Sequence, residues 1–307
     1  MSSARHPLPT DLVALVFDGR VYPNQAKPLE SLGLNERARP LETAIEQWFS
    51  FATGKHTWVS VRGVAIRGLI SARRRAKHSV WEVDALIDAD DDRSVGLSLF
   101  GRLVSGMVKQ KAERVFLRLD AESHLVATAR EAGFFAYANE TLYCLEGRQE
   151  RLPADPRLRS RSKGDLFGIY QLYTHAAPAN VRAIEGATFR EWQAAQERWG
   201  TSTSDLLVEQ DGIINAWVRA AAGSVGRFSA LASGGDVSLD DLVKAAQSKL
   251  AGSDRVLSLV RDDNAALSLC LERNGFRPIG RHAVLAKRLT RPTEELAAEA
   301  AGEAVPV

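Results

Sequence analysis

The sequence predicts two tandem α+β domains, each a mixed, mostly antiparallel sheet flanked by helices, and three observations carry that expectation. The chain of 307 residues is about twice the usual length of one domain, and a hydrophobic content of 45% supplies a core for each half. A polar, arginine-rich stretch over 147–162, holding Pro153 and Pro156 and no periodic apolar positions, divides the chain almost in the middle. The order of elements read before that stretch then recurs after it. The predicted layout is a first domain over 1–147, a linker over 148–162, a second domain over 163–290 and an Ala- and Glu-rich tail over 291–307.

Taken in order, Pro40 opens an amphipathic helix with Leu41, Ile45, Trp48 and Phe49 on one face. Three β-rich runs follow at 57–62, 64–73 and 79–88. The last alternates Trp81, Val83, Ala85 and Ile87 against Glu82, Asp84 and Asp88. Over 96–111 the apolar residues Leu99, Phe100, Leu103, Val104, Met107 and Val108 form a helical stripe, and a short strand follows at 114–119. Strand, helix, strand in this order implies a right-handed crossover to a parallel neighbour. A helix over 122–131 stops at Gly133, and 134–145 completes the sheet.

The second half repeats the scheme. Helical positions fall at Leu166, Ile169, Leu172 and Tyr173, and a further helix covers 189–199. Strands at 205–210 and 213–221 flank Asp211-Gly212, then come a strand near 227–231, a helix through Leu239, Leu242, Val243, Ala246 and Leu250, and a strand at 255–260. The echo is clearest between Arg114-Val115…Ala132-Gly133-Phe134 and Arg255-Val256…Asn274-Gly275-Phe276.

Lys and Arg (40) nearly balance Asp and Glu (38), so a net charge of +2 argues against nucleic acid or an anionic membrane as partner. Cys144 and Cys270 stand alone in apolar runs, which reads as core thiols in a reducing compartment. With no signal-like leader and no apolar run of spanning length, the expectation is a cytoplasmic protein. The six histidines (His6, His56, His78, His124, His175, His282) show no ligand spacing, so no metal is expected. The basic run 73–77 reads as a solvated hairpin turn, with a seat for an acidic group as the alternative.

At Asn264-Ala-Ala-Leu-Ser-Leu-Cys-Leu-Glu-Arg-Asn-Gly275-Phe276 the sequence resembles the Asn-x-x-Ala-x-x-Leu-Tyr-x-x-x-Gly-Phe helix of the GCN5-related N-acetyltransferase superfamily. The first half also matches that family's cofactor loop, Gln/Arg-x-x-Gly-x-Gly/Ala, at Arg93-Ser94-Val95-Gly96-Leu97-Ser98. The resemblance covers nearly the whole chain, twice, and implies two tandem domains of that fold, with acetyl-CoA or another acyl-CoA as co-substrate. The first-turn N–H groups of a helix suit a diphosphate, and Gly96 with the small Ser98 leaves it room, while Arg93 adds charge. The competing reading is an ordinary helix N-terminus after the acidic turn Asp90-Asp91-Asp92. The corresponding stretch 232–238 carries Asp236 where phosphate would sit, so the second domain reads as degenerate.

The resemblance also implies a carboxylate on the central strand as general base, for which Glu82 is the candidate; the alternative leaves that face solvated or paired with the turn Arg73, Arg74 and Arg75. The family's proton-donating tyrosine falls on Ala129 and Leu271. Tyr143 is the substitute candidate, against the reading of a core tyrosine. The expected function is N-acetyl or short N-acyl transfer to an amine of a small molecule or peptide, with homodimerisation left open. The alternatives are a non-catalytic acyl-CoA-binding scaffold and aminoacyl transfer from tRNA, the latter disfavoured by the charge balance.

Overall fold

The computed structural model describes residues 4–8, 11, 22–33, 37–38, 54–62, 65–76, 79–148, 156–200, 202–233 and 238–289. The helix expected around Leu41, Ile45, Trp48 and Phe49, the turn at Gly63, Lys77, Gly235, Asp236 and the tail from 291 lie outside them.

Two residues on each side form a short ladder, β1 (Tyr22–Pro23) with β2 (Arg37–Ala38). The first half then lays down β3 (Lys55–Arg62), β4 (Ala65–Arg74) and β5 (Val80–Asp88), antiparallel neighbours as the alternation predicts. Helix α1 (Arg93–Lys109) crosses over to β6 (Arg114–Asp120), which is parallel to β5. Its face of Val95, Leu99, Phe100, Leu103 and Met107 is buried, which is why the stripe is apolar. Helix α2 (Leu125–Glu131) ends at Gly133, where φ is +86° and Phe134 N–H donates to the Ala129 carbonyl at 3.0 Å. Strand β7 (Phe135–Glu146) follows.

The second half begins with a two-residue strand, β8 (Arg159–Ser160), and then supplies α3 (Leu166–Ala176), α4 (Ala179–Glu185) and α5 (Phe189–Ala195). Helix α5 is shorter than the sequence suggests; Gln196 is already extended and ends it. Strands β9 (Thr203–Gln210), β10 (Ile213–Ala221) and β11 (Val225–Ala232) precede α6 (Leu239–Lys249), β12 (Arg255–Arg261), α7 (Ala265–Arg273) and β13 (Arg277–Arg288). Gly275 stops α7 as Gly133 stops α2, with φ of +84° and Phe276 N–H on the Leu271 carbonyl at 3.0 Å.

All the strands after β2 join one eleven-stranded sheet in the order β3-β4-β5-β6-β13-β7-β12-β11-β10-β9-β8. The two halves exchange their last strands: β13 of the second half pairs with β6 of the first, and β7 of the first pairs with β12 of the second. One core packs α1 and α2 on the first half of the sheet, and a second packs α6 and α7 on the other half.

Candidate functional site

In each half two adjacent parallel strands are hydrogen-bonded at one end only. β5 and β6 pair over Val80–Glu82 and Arg114–Phe116, and β11 and β12 pair over Val225–Phe228 and Arg255–Ser258. Beyond these ladders the strands diverge, which leaves main-chain groups facing a cleft and in need of partners.

The first cleft is filled by the chain itself. Asn24 Nδ2 donates to the Asp84 carbonyl at 3.0 Å, and Leu86 N–H donates to Asn24 Oδ1 at 2.9 Å. Gln25 N–H reaches the Leu86 carbonyl at 2.8 Å, and Lys27 N–H reaches the Arg118 carbonyl at 3.0 Å. The segment thus bridges β5 to β6. Past it, Leu29 and Leu32 run on to pack with Leu142 and Leu257.

The second cleft opens into a cavity of about 200 Å³. Ser229, Ala230 and Leu231 of β11 form one wall, and Leu259, Val260 and Arg261 of β12 form the other. Asn264, which caps α7 by accepting from Leu267 N–H at 3.2 Å, stands at the edge. The aromatic roof includes Tyr173, Trp192 and Trp217.

A buried ionic cluster from both halves lies on the cavity floor. Arg118 Nε donates to Glu140 Oε2 at 2.7 Å and its Nη2 to Glu197 Oε1 at 2.7 Å. Arg75 reaches the same Glu197 oxygen at 3.1 Å and the Ala195 carbonyl at 2.9 Å. Burial pushes the Glu140 carboxyl above its usual range despite Arg118. Burial acts on Glu197 in the same sense, but Arg118 and Arg75 outweigh it and hold that carboxyl low. Beside them Tyr137 and Tyr173 both donate to Glu185, at 3.1 and 2.9 Å. Burial and then the Glu185 charge hold both phenols above their ordinary range, so they stay protonated at neutral pH.

The structure separates the residues that the sequence singles out. Glu82 is buried at 4% exposure and is gripped by Arg73 Nε at 2.7 Å and Arg75 Nε at 3.1 Å. This is the pairing alternative, and it corrects the view of the basic run as solvated: Arg73 and Arg75 are 6% and 9% exposed. Tyr143 sits in the second core at 5% exposure, its hydroxyl donating to Glu272 at 3.1 Å, as a core tyrosine does.

In the Arg93–Ser98 stretch, Asp92 caps α1. Its Oδ1 accepts from Ser94 N–H at 2.9 Å, and the Val95 and Gly96 N–H groups donate to the Asp92 carbonyl at 2.9 and 3.1 Å. Val95 and Gly96 are buried, and a Cβ on Gly96 would lie 3.0 Å from Thr128 Cγ2, so this glycine faces α2. Arg93 points to Glu131, Leu97 follows in the helix, and Ser98 Oγ accepts from Ala4 N–H at 2.9 Å. His124, set apart in sequence, meets Asp88 at 3.1 Å with Asp91 nearby, a grouping that residue spacing along the chain does not reveal.

Sequence reasoning did not single out Arg118, Tyr137, Glu140, Glu185 or Glu197 as site residues. Each sits on an ordinary strand or helix end and acquires its neighbours only through the strand exchange and the packing of α3, α4 and α5. In the sequence Tyr173 shows only as an apolar helix position.

No family model matches the chain, and no curated protein matches it. Solved structures do. A GCN5-related N-acetyltransferase from Sphaerobacter thermophilus superposes with a TM-score of 0.55 at 16% identity, covering 94% of this chain and 96% of that one. A protein from Pyrococcus horikoshii described as a candidate acetyltransferase gives a TM-score of 0.51 at 14% identity, covering 94% and 89%. Identities this low speak to architecture alone. The chain therefore has the GCN5-related N-acetyltransferase fold, built as two such domains in tandem.

Proposed function

We propose that the protein is an acyl-CoA-dependent N-acyltransferase whose transfer centre is the cleft between β11 and β12. The contrast between the two clefts carries this reading. Asn24 and Lys27 already satisfy the main chain of the first cleft, whereas Ser229 to Leu231 on the β12 side of β11 are free of ladder partners among the described residues. A thioester arm has amide and carbonyl groups that suit such a strand edge. The N-terminus of α6 is capped by Ser238 and carries Asp240 and Asp241, which oppose an anion. The slot accordingly fits the arm of the donor, and its diphosphate would seat elsewhere.

When bound, the thioester supplies the acyl group. The chain supplies the rest: the Glu140 carboxylate takes a proton from the acceptor ammonium, the freed amine forms the new C–N bond as the C–S bond breaks, and the Tyr173 hydroxyl, held protonated by burial, donates a proton to the leaving thiolate and recovers one from the acylated nitrogen. Crystals soaked with acetyl-CoA test the reading, with density expected between β11 and β12. Density at Arg93–Ser98 or between β5 and β6 would overturn it.

A non-catalytic acyl-CoA-binding role is the second reading. It is favoured by the self-capped N-termini of both crossover helices and by Ala129 and Leu271 where the family carries its tyrosine. Binding of acetyl-CoA without turnover across an amine panel would select it.

A further inference from the structure

In the ionic cluster on the cavity floor the unused hydrogen-bonding capacity lies on the carboxylates. Arg118 is committed at all three nitrogens, to Glu140, Glu197 and the Lys27 carbonyl, the last at 3.1 Å. Arg75 is likewise committed, to Glu82, Glu197 and the Ala195 carbonyl. Arg261 faces Asp263 at 3.2 Å and Glu185 at 3.8 Å. The carboxylates are not saturated. Both arginine bonds to Glu197 fall on Oε1, and the bond to Glu140 falls on Oε2, so Glu197 Oε2 and Glu140 Oε1 have no partner among the described residues. Neither oxygen is among the sealed, unpartnered atoms of the interior, so both are open to the cavity.

Unsaturated acceptors on the floor call for a donor, and a charged donor is favoured where water is scarce. The roof, with Tyr173, Trp192 and Trp217, suits an apolar body and the cation it bears. A carboxylate on the ligand would meet Glu140 and Glu197, with Arg118 and Arg75 already committed and only Arg261, itself facing Asp263 and Glu185, left to receive it.

We propose that the cavity takes a cationic arylalkylamine or alkylamine without a carboxylate of its own, its ammonium seated on Glu140 Oε1 and Glu197 Oε2. This rests on the acyltransferase reading, of which that amine would be the acceptor. The seat is tested apart from turnover by calorimetry on the full chain without an acyl donor, using 2-phenylethylamine, 2-phenylethanol and phenylalanine. The amine is expected to bind at least about tenfold tighter than either other compound, and Glu140→Gln to remove about tenfold of its affinity. Because a change in the ionic cluster can disturb folding, the comparison of the three ligands on the unaltered protein is decisive by itself. Equal or tighter binding of phenylalanine or the alcohol, or no binding of the amine, would overturn the proposal. Amine binding without transfer from acetyl-CoA supports this seat and defeats the acyltransferase reading. Transfer to amines with no such preference defeats the seat alone.

Discussion

Arg118 of the first half and Glu197 of the second are joined by a 2.7 Å charge-assisted hydrogen bond, and the same guanidinium holds Glu140. With the Arg118 side chain 6% exposed and those of Glu140 and Glu197 13% and 19%, the cluster is shielded from water and salt. Removing the cation would strand carboxylates rather than merely lose a contact. Arg118→Leu is expected to lower unfolding stability by about 3–5 kcal/mol in urea titrations. A loss under about 1 kcal/mol would show that Arg75 alone suffices.

Helix α1 supplies an internal comparison of two glycines. A Cβ at Gly106 would lie 2.2 Å from Trp58 Cζ2, part of a rigid, buried ring, whereas a Cβ at Gly101 would meet nothing within 4 Å. Gly106→Ala should cost about 1–3 kcal/mol through overpacking. Gly101→Ala should stabilise by about 0.5–1 kcal/mol through helix propensity. Thermal denaturation of both variants reads the sign directly, and equal shifts would contradict the packing described for α1.

The helix stripes, the three antiparallel strands and the Gly133 and Gly275 stops were legible because they depend on residues close in sequence. The strand exchange was not. Strands β7 and β13 occupy the same place in each repeat, and nothing local to either says which half it will border. The site was hidden for the same reason. Glu82 shows its alternation and leaves pairing with Arg73 and Arg75 as one reading among others, while Asn24 gives no sign that it bridges a cleft formed some sixty residues later.

His282 on β13 is 5% exposed, and neither ring nitrogen has a side-chain partner among the described residues. Burial, helped by Arg118 and Lys27 and opposed by Asp120, holds its pKa at about 4, against an ordinary 6.5. The folded value lies below the unfolded one, so between pH 4 and 6.5 the unfolded chain binds the extra proton. Stability should therefore rise with pH across that window, by up to about 3 kcal/mol, and level off above it. In His282→Leu the rise should be flatter; an unchanged slope in urea titrations at pH 4.5 and 7 would assign it to other groups.

The strand exchange also predicts how fragments behave. Residues 1–150 lack β13, and residues 156–307 lack β7, so β6 in one fragment and β12 in the other are left without an observed neighbour. Each fragment alone is expected to be insoluble or molten, and co-expression should restore a soluble complex with native-like circular dichroism. Two independently folded, monomeric fragments would show that each half can retrieve its own last strand.

The interleaved sheet also bears on how a ligand enters. A two-domain enzyme with a flexible joint opens by swinging one lobe away from the other, but here such a swing would tear the ladders of β6 with β13 and of β7 with β12 at once. The molecule has a keel in place of a joint. If the cavity takes the proposed amine, the motion that admits it would come from what lies above the sheet: α3, α4, α5 and residues 196–199, which carry Tyr173, Glu185, Trp192 and Glu197. Part of the proposed grip, Glu197 and the aromatic roof, would then step aside to let the acceptor in, while Glu140 stays fixed on β7.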